Sequence, residues 1–185
     1  MTKKILMATR NLSKLKLVSS LMKACGFENY DFYSLRDLDY NIPDEKEIGT
    51  VTERAKQKCL NAINNLKNND YDFILGIDDG FEINGKIETE VKKIIPDILN
   101  DKLLKDGEIA TVCRGYHFIS KDGKEYNFMT RIPLKYKKYP GDINSITDKS
   151  YPLSAVFFFL DESKEDKPNE YYKPFCIEFF DKIEK

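Results

Sequence analysis

The hydrophobic pattern divides the first part of the chain into alternating strands and helices. Residues 4–8 are mainly apolar and predict a buried strand, and residues 30–35 predict a second one. Between them, apolar residues return every three or four positions, which predicts a helix that stops at Gly26. One face of that helix carries Leu15, Val18, Leu21, Met22 and Cys25.

Residues 50–66 predict the most regular helix of the chain. Thr50 and Glu53 have the spacing at which a threonine hydroxyl and a carboxylate each accept a hydrogen bond from the other residue's backbone amide. Apolar residues then repeat at helical spacing, namely Ala55, Cys59, Ala62, Ile63 and Leu66. The polar segment 36–49 before this helix predicts a loop.

The middle of the chain predicts a buried strand, a tight turn and a helix. Residues 72–79 predict a strand that ends in two adjacent carboxylates, and Asn84-Gly85 suits a two-residue hairpin turn. Pro96 is predicted to break the segment before it and to start a helix over residues 97–105.

The last part of the chain predicts antiparallel pairing. Residues 108–120 and 124–134 predict a long hairpin with its turn near Asp122-Gly123, and residues 154–160 predict another buried strand. The final helix is indicated by Cys176, Phe179, Phe180 and Ile183. The order of elements predicts an α/β fold with a mixed sheet, flanking helices and a long antiparallel hairpin, which we expect to form a single domain over residues 1–185.

Composition and charge exclude several classes of function. Lys and Arg number 30 against 31 Asp and Glu, so the basic excess typical of proteins that bind nucleic acid polymers is missing. A local basic pocket for a small anion remains compatible with this balance. No apolar run approaches the roughly 20 residues that a membrane helix needs. We therefore expect no membrane partner and a cytoplasmic location. The four cysteines are too far apart in sequence for a C-x-x-C motif, and three of them predict buried thiols.

A dense group of polar residues follows the first strand. Thr9, Asn11 and Lys14 lie at the predicted start of a helix, where free backbone amides and the helix dipole favour phosphate binding. The alternative is that Asn11 or Ser13 only caps the helix.

Two acidic groups suggest a metal site. Asp78 and Asp79 directly follow an apolar run, where charge is costly unless it is paired, and a magnesium ion shared with substrate phosphates would pair it. The alternative is a hydrogen-bonded turn at the strand end. Asp44, Glu45 and Glu47 form the other group, and the alternative for them is a solvated loop.

Lys58 and His117 are weaker candidates. Lys58 could face an anion together with Lys14, although a lysine on a helix is ordinarily exposed. His117 is the only histidine and lies in an alternating strand, so we interpret it as structural.

Taken in order, these clusters resemble the inosine-triphosphate pyrophosphatase (ITPase) family, which hydrolyses non-standard purine nucleotides. That family follows its first strand with A-T-x-N-x-x-K, which Ala8, Thr9, Asn11 and Lys14 match. It continues with an acidic loop E-x-G and a threonine-opened helix ending in K-A. The similar residues here, which align with a one-residue gap, are Glu47, Gly49, Thr50, Glu53, Ala55 and Lys58-Cys59.

The aspartate motif leaves its register open. The family closes a strand with D-D-S-G-L-x-V, and "IDDGFEI" is one residue shorter. If the two acids set the register, Asp79 is the counterpart of the family's key carboxylate; if "GFEI" sets it, Asp78 is.

The resemblance implies a two-lobed fold with a central cleft and a mechanism within that cleft. Thr9, Asn11 and Lys14 would bind substrate phosphates, and Lys58, Asp78 and Asp79 would be catalytic, one aspartate activating water. Glu47 with Asp78 or Asp79 would hold Mg²⁺. The reaction implied is attack at the α–β phosphate link of a nucleotide, giving the monophosphate and pyrophosphate. Family members are commonly dimers, so the resemblance also implies a homodimer.

The resemblance fades in the second half of the chain. The family's P-G-x-x-S-A-R segment is replaced by "IETEVKKIIPDILN", residues 87–100. Its F-G-Y-D-P and S-H-R motifs, which read the purine base, are also missing. The residues that could take their place are Phe157 to Phe159, Tyr172, Lys173 and Phe175. A catalytically inactive or repurposed nucleotide-binding or interaction protein on the same fold is therefore the alternative function.

Overall fold

A computed structural model describes residues 2–44, 46–147 and 152–184 of the chain. Its centre is a seven-stranded sheet in the order β2-β1-β3-β5-β6-β7, with β4 paired to the far end of β3. The strands are β1 (Lys3–Met7), β2 (Tyr30–Ser34), β3 (Phe73–Ile83), β4 (Lys86–Glu88), β5 (Ile109–Ser120), β6 (Glu125–Tyr136) and β7 (Phe157–Phe159). β1 runs parallel to β2 and β3, whereas β3, β5, β6 and β7 pair antiparallel. The mixed α/β class predicted from the sequence is confirmed.

Helices cover the sheet. They are α1 (Leu12–Ala24), α2 (Val51–Asn65), α3 (Val91–Leu99), the short α4 (Asn144–Thr147) and α5 (Pro168–Glu184). Single turns of 3₁₀ helix are also present at Leu35–Asp37, Pro152–Ala155 and Glu162–Lys164. The predicted cap of α2 is confirmed, since Thr50 Oγ1 accepts from the amide of Glu53 at 3.3 Å and the Glu53 carboxylate accepts from the amide of Thr50 at 2.7 Å.

Three predicted boundaries are wrong. β3 does not end at the two aspartates but continues to Ile83, because the facing strand β5 remains paired with it as far as Glu82. The predicted strand over 154–160 shrinks to Phe157–Phe159, because Pro152–Ala155 form a helical turn that β7 follows.

The third wrong boundary is the start of α3. This helix begins at Val91 and contains Pro96 instead of starting after it. Proline removes one helical hydrogen bond, a loss of roughly 3 kcal/mol. Packing of the apolar face against the core offsets that loss, since Ile98 and Leu99 are almost fully buried.

One face of the sheet carries two separate apolar clusters. Ile77 and Tyr116 belong to the cluster under α1 and α5, whereas Phe81 and Ile132 belong to the cluster under α3 and the segment around β7. A third cluster lies under α2 on the other face. The two same-face clusters are the cores of the two predicted lobes, and the polar residues between them lie at the junction.

Several sequence expectations concern buried groups. All four cysteines are buried and free, including the three predicted to be so. Burial raises the pKa of the Cys59 and Cys176 thiols to about 12. His117 is buried in β5, within the strand predicted for it.

Among the described residues, no helix combines the length and the apolar character needed to cross a membrane.

Candidate active site

A cleft opens beside the central part of β3, where this strand has an uncovered edge. β1 pairs with β3 only as far as Met7 opposite Leu75, and β4 pairs with it only from Phe81 onward. No described strand pairs with the edge between those points. The cleft there has a volume of about 530 Å³, and α1, α2, β3 and the segment 89–95 all contribute to its lining.

Asp78 and Asp79 both line this cleft, although they belong to opposite faces of β3. Side chains alternate across a strand, so Asp78 lies on the side of α2 and Asp79 on the side of α1. The open edge lets groups from both faces reach the same space. The cleft therefore receives two separate sets of charged residues.

α2 reaches Asp78 because two glycines let this helix lie against the sheet. A Cβ atom built on Gly76 would lie 1.9 Å from the carbonyl oxygen of Ala55, and one on Gly115 would lie 2.5 Å from that of Val51. Real Cβ contacts are never so short. Only glycine at these two positions permits the observed approach of the helix backbone.

Arg54 and Lys58 project from α2 onto Asp78. They are four residues apart and share one face of the helix. Arg54 Nε donates to Asp78 Oδ2 at 2.7 Å, and the Lys58 ammonium donates to Asp78 Oδ1. Both oxygens of this nearly buried carboxylate are thus paired with a cation.

Glu47 lies beside the same two cations. Its Oε2 is 3.7 Å from Arg54 Nη2 and 3.9 Å from Lys58 Nζ, and its side chain is 24% exposed. The solvated-loop alternative for Glu47 is therefore wrong, because its carboxylate faces the cleft. The exposed-helix alternative for Lys58 is also wrong, because its ammonium group faces the cleft and contacts Asp78.

Asp79 is held by one cation from helix α1 and one from the adjacent strand β5. Lys14 Nζ lies 2.7 Å from its Oδ2, and Arg114 Nε lies 2.5 Å from its Oδ1. Arg114 is the residue directly opposite Asp79 in β5, and it is nearly buried. Burial alone would raise the pKa of Asp79, but Arg114 and Lys14 outweigh it and hold that pKa well below the ordinary range.

Thr9 and Asn11 have local structural contacts. The Asn11 side chain accepts from the amide of Lys14 at 3.1 Å and so caps α1, as the alternative interpretation proposed. Thr9 Oγ1 accepts from the amide of Asn11 at 3.1 Å. Asn11 also lines the cleft, so capping and contact with a ligand are compatible there. The described lining of the cleft does not include Thr9.

A second, more apolar cavity of about 280 Å³ adjoins the cleft, sharing Asp79, Phe81 and Leu153 with it. Its other lining residues are Leu17, Val112, Arg114, Ile132, Leu134, Ser154, Phe157, Phe159, Glu165 and Tyr172. Glu165 Oε1 accepts from the amide of Phe159 at 2.6 Å. Among the suggested base readers, Phe158, Lys173 and Phe175 are absent from the described lining of this cavity.

The sequence interpretation missed Arg54 and Arg114. The signal for Arg54 was available, since it precedes Lys58 by four residues on a helix whose register was predicted. Arg114 could not be found in this way, because its place opposite Asp79 depends on the pairing register of two strands 35 residues apart.

The described residues do not form a complete metal cage. No group of three or more His, Cys, Asp or Glu side chains is arranged to hold an ion. The donor chemistry nevertheless suits Mg²⁺, which often takes only one or two carboxylates and completes its shell with phosphates and water. The Lys58 ammonium, a cation, already lies between Asp78 and Glu47.

No protein-family model matches the sequence, and no curated protein does either. Solved structures match over almost the whole chain. The Ham1 protein of Staphylococcus aureus superimposes with a TM-score of 0.62, at 16% identity, covering 98% of both chains. The fold is that of the Ham1 proteins.

Two further structures support this conclusion. The HAM1 protein of Coxiella burnetii has a TM-score of 0.59 at 16% identity, again over 98% of both chains. A Mycobacterium abscessus protein described as a nucleoside-triphosphatase and dITP/XTP pyrophosphatase has a TM-score of 0.55 at 14% identity, over 92% of this chain and 93% of its own. The Ham1 fold confirms the resemblance to the ITPase family at the level of architecture.

Proposed function

We propose that this protein is a nucleoside-triphosphate pyrophosphatase that cleaves the α–β phosphate link and releases a monophosphate and pyrophosphate. The observation that carries the proposal is the convergence of Lys14, Arg54 and Lys58 on one cleft together with Asp78 and Asp79. These residues come from three separate elements. The same fold occurs in a protein described as a dITP/XTP pyrophosphatase.

The cations are proposed to hold the phosphate chain. In the structure Lys14, Arg54 and Lys58 are paired with carboxylates. Phosphate oxygens are strong acceptors for charged donors, so a bound triphosphate would draw these side chains from the carboxylates. Each cation lies at the cleft already and needs only a side-chain rotation. Asn11 would add its side-chain amide at the start of α1, and Thr9 would hold Asn11 in place.

The adjoining apolar cavity supports a nucleotide over an inorganic polyphosphate. It is lined mainly by aliphatic and aromatic side chains, which suit the faces of a base. Because the cavity shares a wall with the charged cleft, one nucleotide could place its base in the cavity and its phosphate chain in the cleft. The Ser154 hydroxyl and the Glu165 carboxylate are the polar groups there that would contact base edges.

Mg²⁺ is part of the proposal, with Glu47 and Asp78 as the residues that would hold it. When bound, the ion would neutralise charge on the phosphate oxygens and polarise the bond to be broken. Lys58, which lies between these two carboxylates, would contact a phosphate oxygen, where its positive charge would stabilise the developing negative charge.

The two aspartates are proposed to have different roles. Asp79 has its pKa lowered by Arg114 and Lys14, so it is a poor proton acceptor, and its role is to position Lys14. Asp78 would orient the attacking water. It lies on the α2 side of β3, where Glu47 contacts the same two cations. This assignment separates two residues that the sequence motif could not distinguish.

A second candidate function is nucleotide binding without hydrolysis. The observation that favours it is that both oxygens of Asp78 and both oxygens of Asp79 are engaged by cations in the described structure. A carboxylate used in this way organises positive charge but does not activate water. Calorimetry distinguishes the two candidates. Lasting binding of an intact nucleotide favours the binder, and a signal that decays into products favours the enzyme.

The experiment that tests the enzyme is pyrophosphate release from a panel of nucleoside triphosphates with Mg²⁺. We expect release from at least one base. Asp78→Asn should abolish kcat, whereas Asp79→Asn should mainly raise KM because Lys14 loses its anchor. Absence of pyrophosphate from every base at high enzyme concentration would contradict the proposal.

Three expectations from the sequence remain predictions: the single domain over residues 1–185, the homodimer and the cytoplasmic location. Light scattering of the purified protein tests the homodimer directly, since a dimer has twice the mass of the 21.6 kDa chain.

A further inference from the structure

The cleft has a wall that the sequence resemblance does not account for. This wall is formed by the segment 89–95, which joins β4 to α3 and begins its first turn. It lies within residues 87–100, the stretch where the chain departs from the ITPase pattern. Lys92 and Lys93 bring two further positive charges to the cleft from this segment.

Lys92 differs from the other cations that line the cleft. Lys14, Arg54 and Lys58 are each paired with a carboxylate, and Lys93 is paired with Glu90. Within the described ranges, the side chain of Lys92 has neither an ion pair nor a hydrogen bond. A cation at the cleft that neutralises no carboxylate is available to an incoming anion without first breaking an existing pair.

Lys92 lies at the positive end of the α3 dipole, and the nearest carboxylate of that helix end, Glu90, is paired with Lys93 instead. The first turn of α3 contains no acidic residue, and the N-cap residue Glu90 makes no side-chain capping bond. The positive end of the helix dipole repels lysines there. A bound anion would relieve that repulsion, which agrees with the lack of a protein partner for Lys92.

We propose that Lys92 binds the polyphosphate tail of the substrate and so completes a basic cleft together with Lys14 and Lys58. The inference rests on the proposed function for the identity of the site, but it assigns a residue that neither the sequence motifs nor the fold comparison supplies. The ligand class is a chain of two or more linked phosphates. A single phosphate held near Asp78 and Asp79 would not need Lys92.

Glu90 is proposed to oppose this binding. Its carboxylate is paired with Lys93, and its pKa is lowered first by that lysine and then also by Arg54 and Lys46. It is therefore an anion near the path of the phosphates. Removing its charge should favour a polyphosphate, both by loss of repulsion and by release of Lys93.

The test is calorimetric binding of inorganic tripolyphosphate and of a nucleoside monophosphate to the full chain with Mg²⁺. We expect Lys92→Gln to weaken tripolyphosphate binding about tenfold, the usual effect of losing one charged hydrogen bond, and to leave the monophosphate unchanged. Glu90→Gln should strengthen tripolyphosphate binding severalfold. The control is Lys102→Gln, which removes another exposed lysine that is not part of the described lining of the cleft.

The outcomes separate this inference from the proposed function. Equal tripolyphosphate affinity of Lys92→Gln and the unmodified protein would overturn the inference, and so would equal weakening by Lys102→Gln or of the monophosphate. Failure of the unmodified protein to bind tripolyphosphate at all would also overturn the inference, whereas the proposed function is tested separately by pyrophosphate release from nucleoside triphosphates. Lys92 is exposed, and equal thermal midpoints of the variants will show that each remains folded.

Discussion

Lys14 Nζ lies 2.7 Å from Asp79 Oδ2, so the first turn of α1 is tied to the middle of β3. Both side chains are largely buried, at 13% and 16% exposure. The pair lies at the junction between the two apolar clusters of the sheet face. Burying a charged group in this position lowers stability unless the charge is paired. Lys14 is one partner of Asp79, and Arg114 is the second.

Asp79→Asn tests the energetic part of this arrangement. Removing the charge leaves Arg114 buried without its carboxylate, which should lower the free energy of unfolding at pH 7 by about 3–5 kcal/mol. Because the pKa of Asp79 is lower in the folded protein, its contribution is present above about pH 4 and is lost as pH falls through the folded pKa. Urea denaturation between pH 3 and pH 7 measures both effects.

Asp31→Asn is the control for that experiment, since Asp31 is exposed on β2. We expect it to change stability by less than about 0.5 kcal/mol. A loss equally small for Asp79→Asn would show that the buried ion pairs around Asp79 do not contribute as described.

Arg54→Gln tests the cation that the sequence interpretation missed. Arg54 bridges Asp78 and Glu47 and faces the cleft, so its loss should weaken binding of a non-hydrolysable α,β-methylene triphosphate by about 10- to 100-fold. Calorimetry measures the change. Arg36→Gln is the matched control on an exposed turn, and a similar loss in both variants would indicate a general effect of charge.

Gly76→Ala tests the close approach of α2 to the sheet. The new Cβ atom would lie 1.9 Å from a backbone oxygen of Ala55, so the helix must move away. We expect a loss of about 3 kcal/mol or more in stability, at the upper end of overpacking effects. Gly141→Ala, where the nearest atoms belong to the Tyr139 ring, should be much milder in the same melting experiment. Equal melting temperatures would contradict the packing described.

His117→Gln tests the buried histidine outside the site. Burial lowers the pKa of His117, although Glu125, 3.3 Å from its Nε2, opposes the effect, and Lys56 beside that glutamate adds to it. The unfolded chain therefore binds a proton at higher pH than the folded one. Stability supplied by neutral His117 is present above about pH 6.5 and decreases as pH falls below it.

The unmodified protein should thus lose stability between pH 7 and pH 5, and His117→Gln should lose less over the same interval. Chemical denaturation at four or five pH values measures the slope. Identical slopes for the two proteins would show that His117 has the same pKa in both states.

Local patterns in the sequence predicted most of the fold. The apolar periodicity of α1 and α2 and the capping box at Thr50 depend on residues within one or two turns, so they could be read directly. The errors arose where distant contacts decide. Pro96 remains inside α3 because its apolar face packs against a core built from β5, β6 and the segment around β7. β3 continues past its aspartates because β5 stays paired with it.

The candidate site could be predicted only in part for the same reason. Lys14, Lys58, Asp78 and Asp79 were found because short motifs contain them, and the structure brings all four to one cleft. The motif could not show that the two aspartates lie on opposite faces and have different partners. Arg114 and the apolar cavity depend on strand register and on the last third of the chain, where no motif offers a guide.

Phosphorus NMR of the reaction products shows which phosphate bond of the substrate the protein cleaves. The protein is incubated with Mg²⁺ and each nucleoside triphosphate, and the phosphorus signals are followed over time. We expect equal amounts of monophosphate and pyrophosphate, with the reaction abolished in Asp78→Asn. Diphosphate with inorganic phosphate, or intact nucleotide throughout, would contradict cleavage at the α–β link.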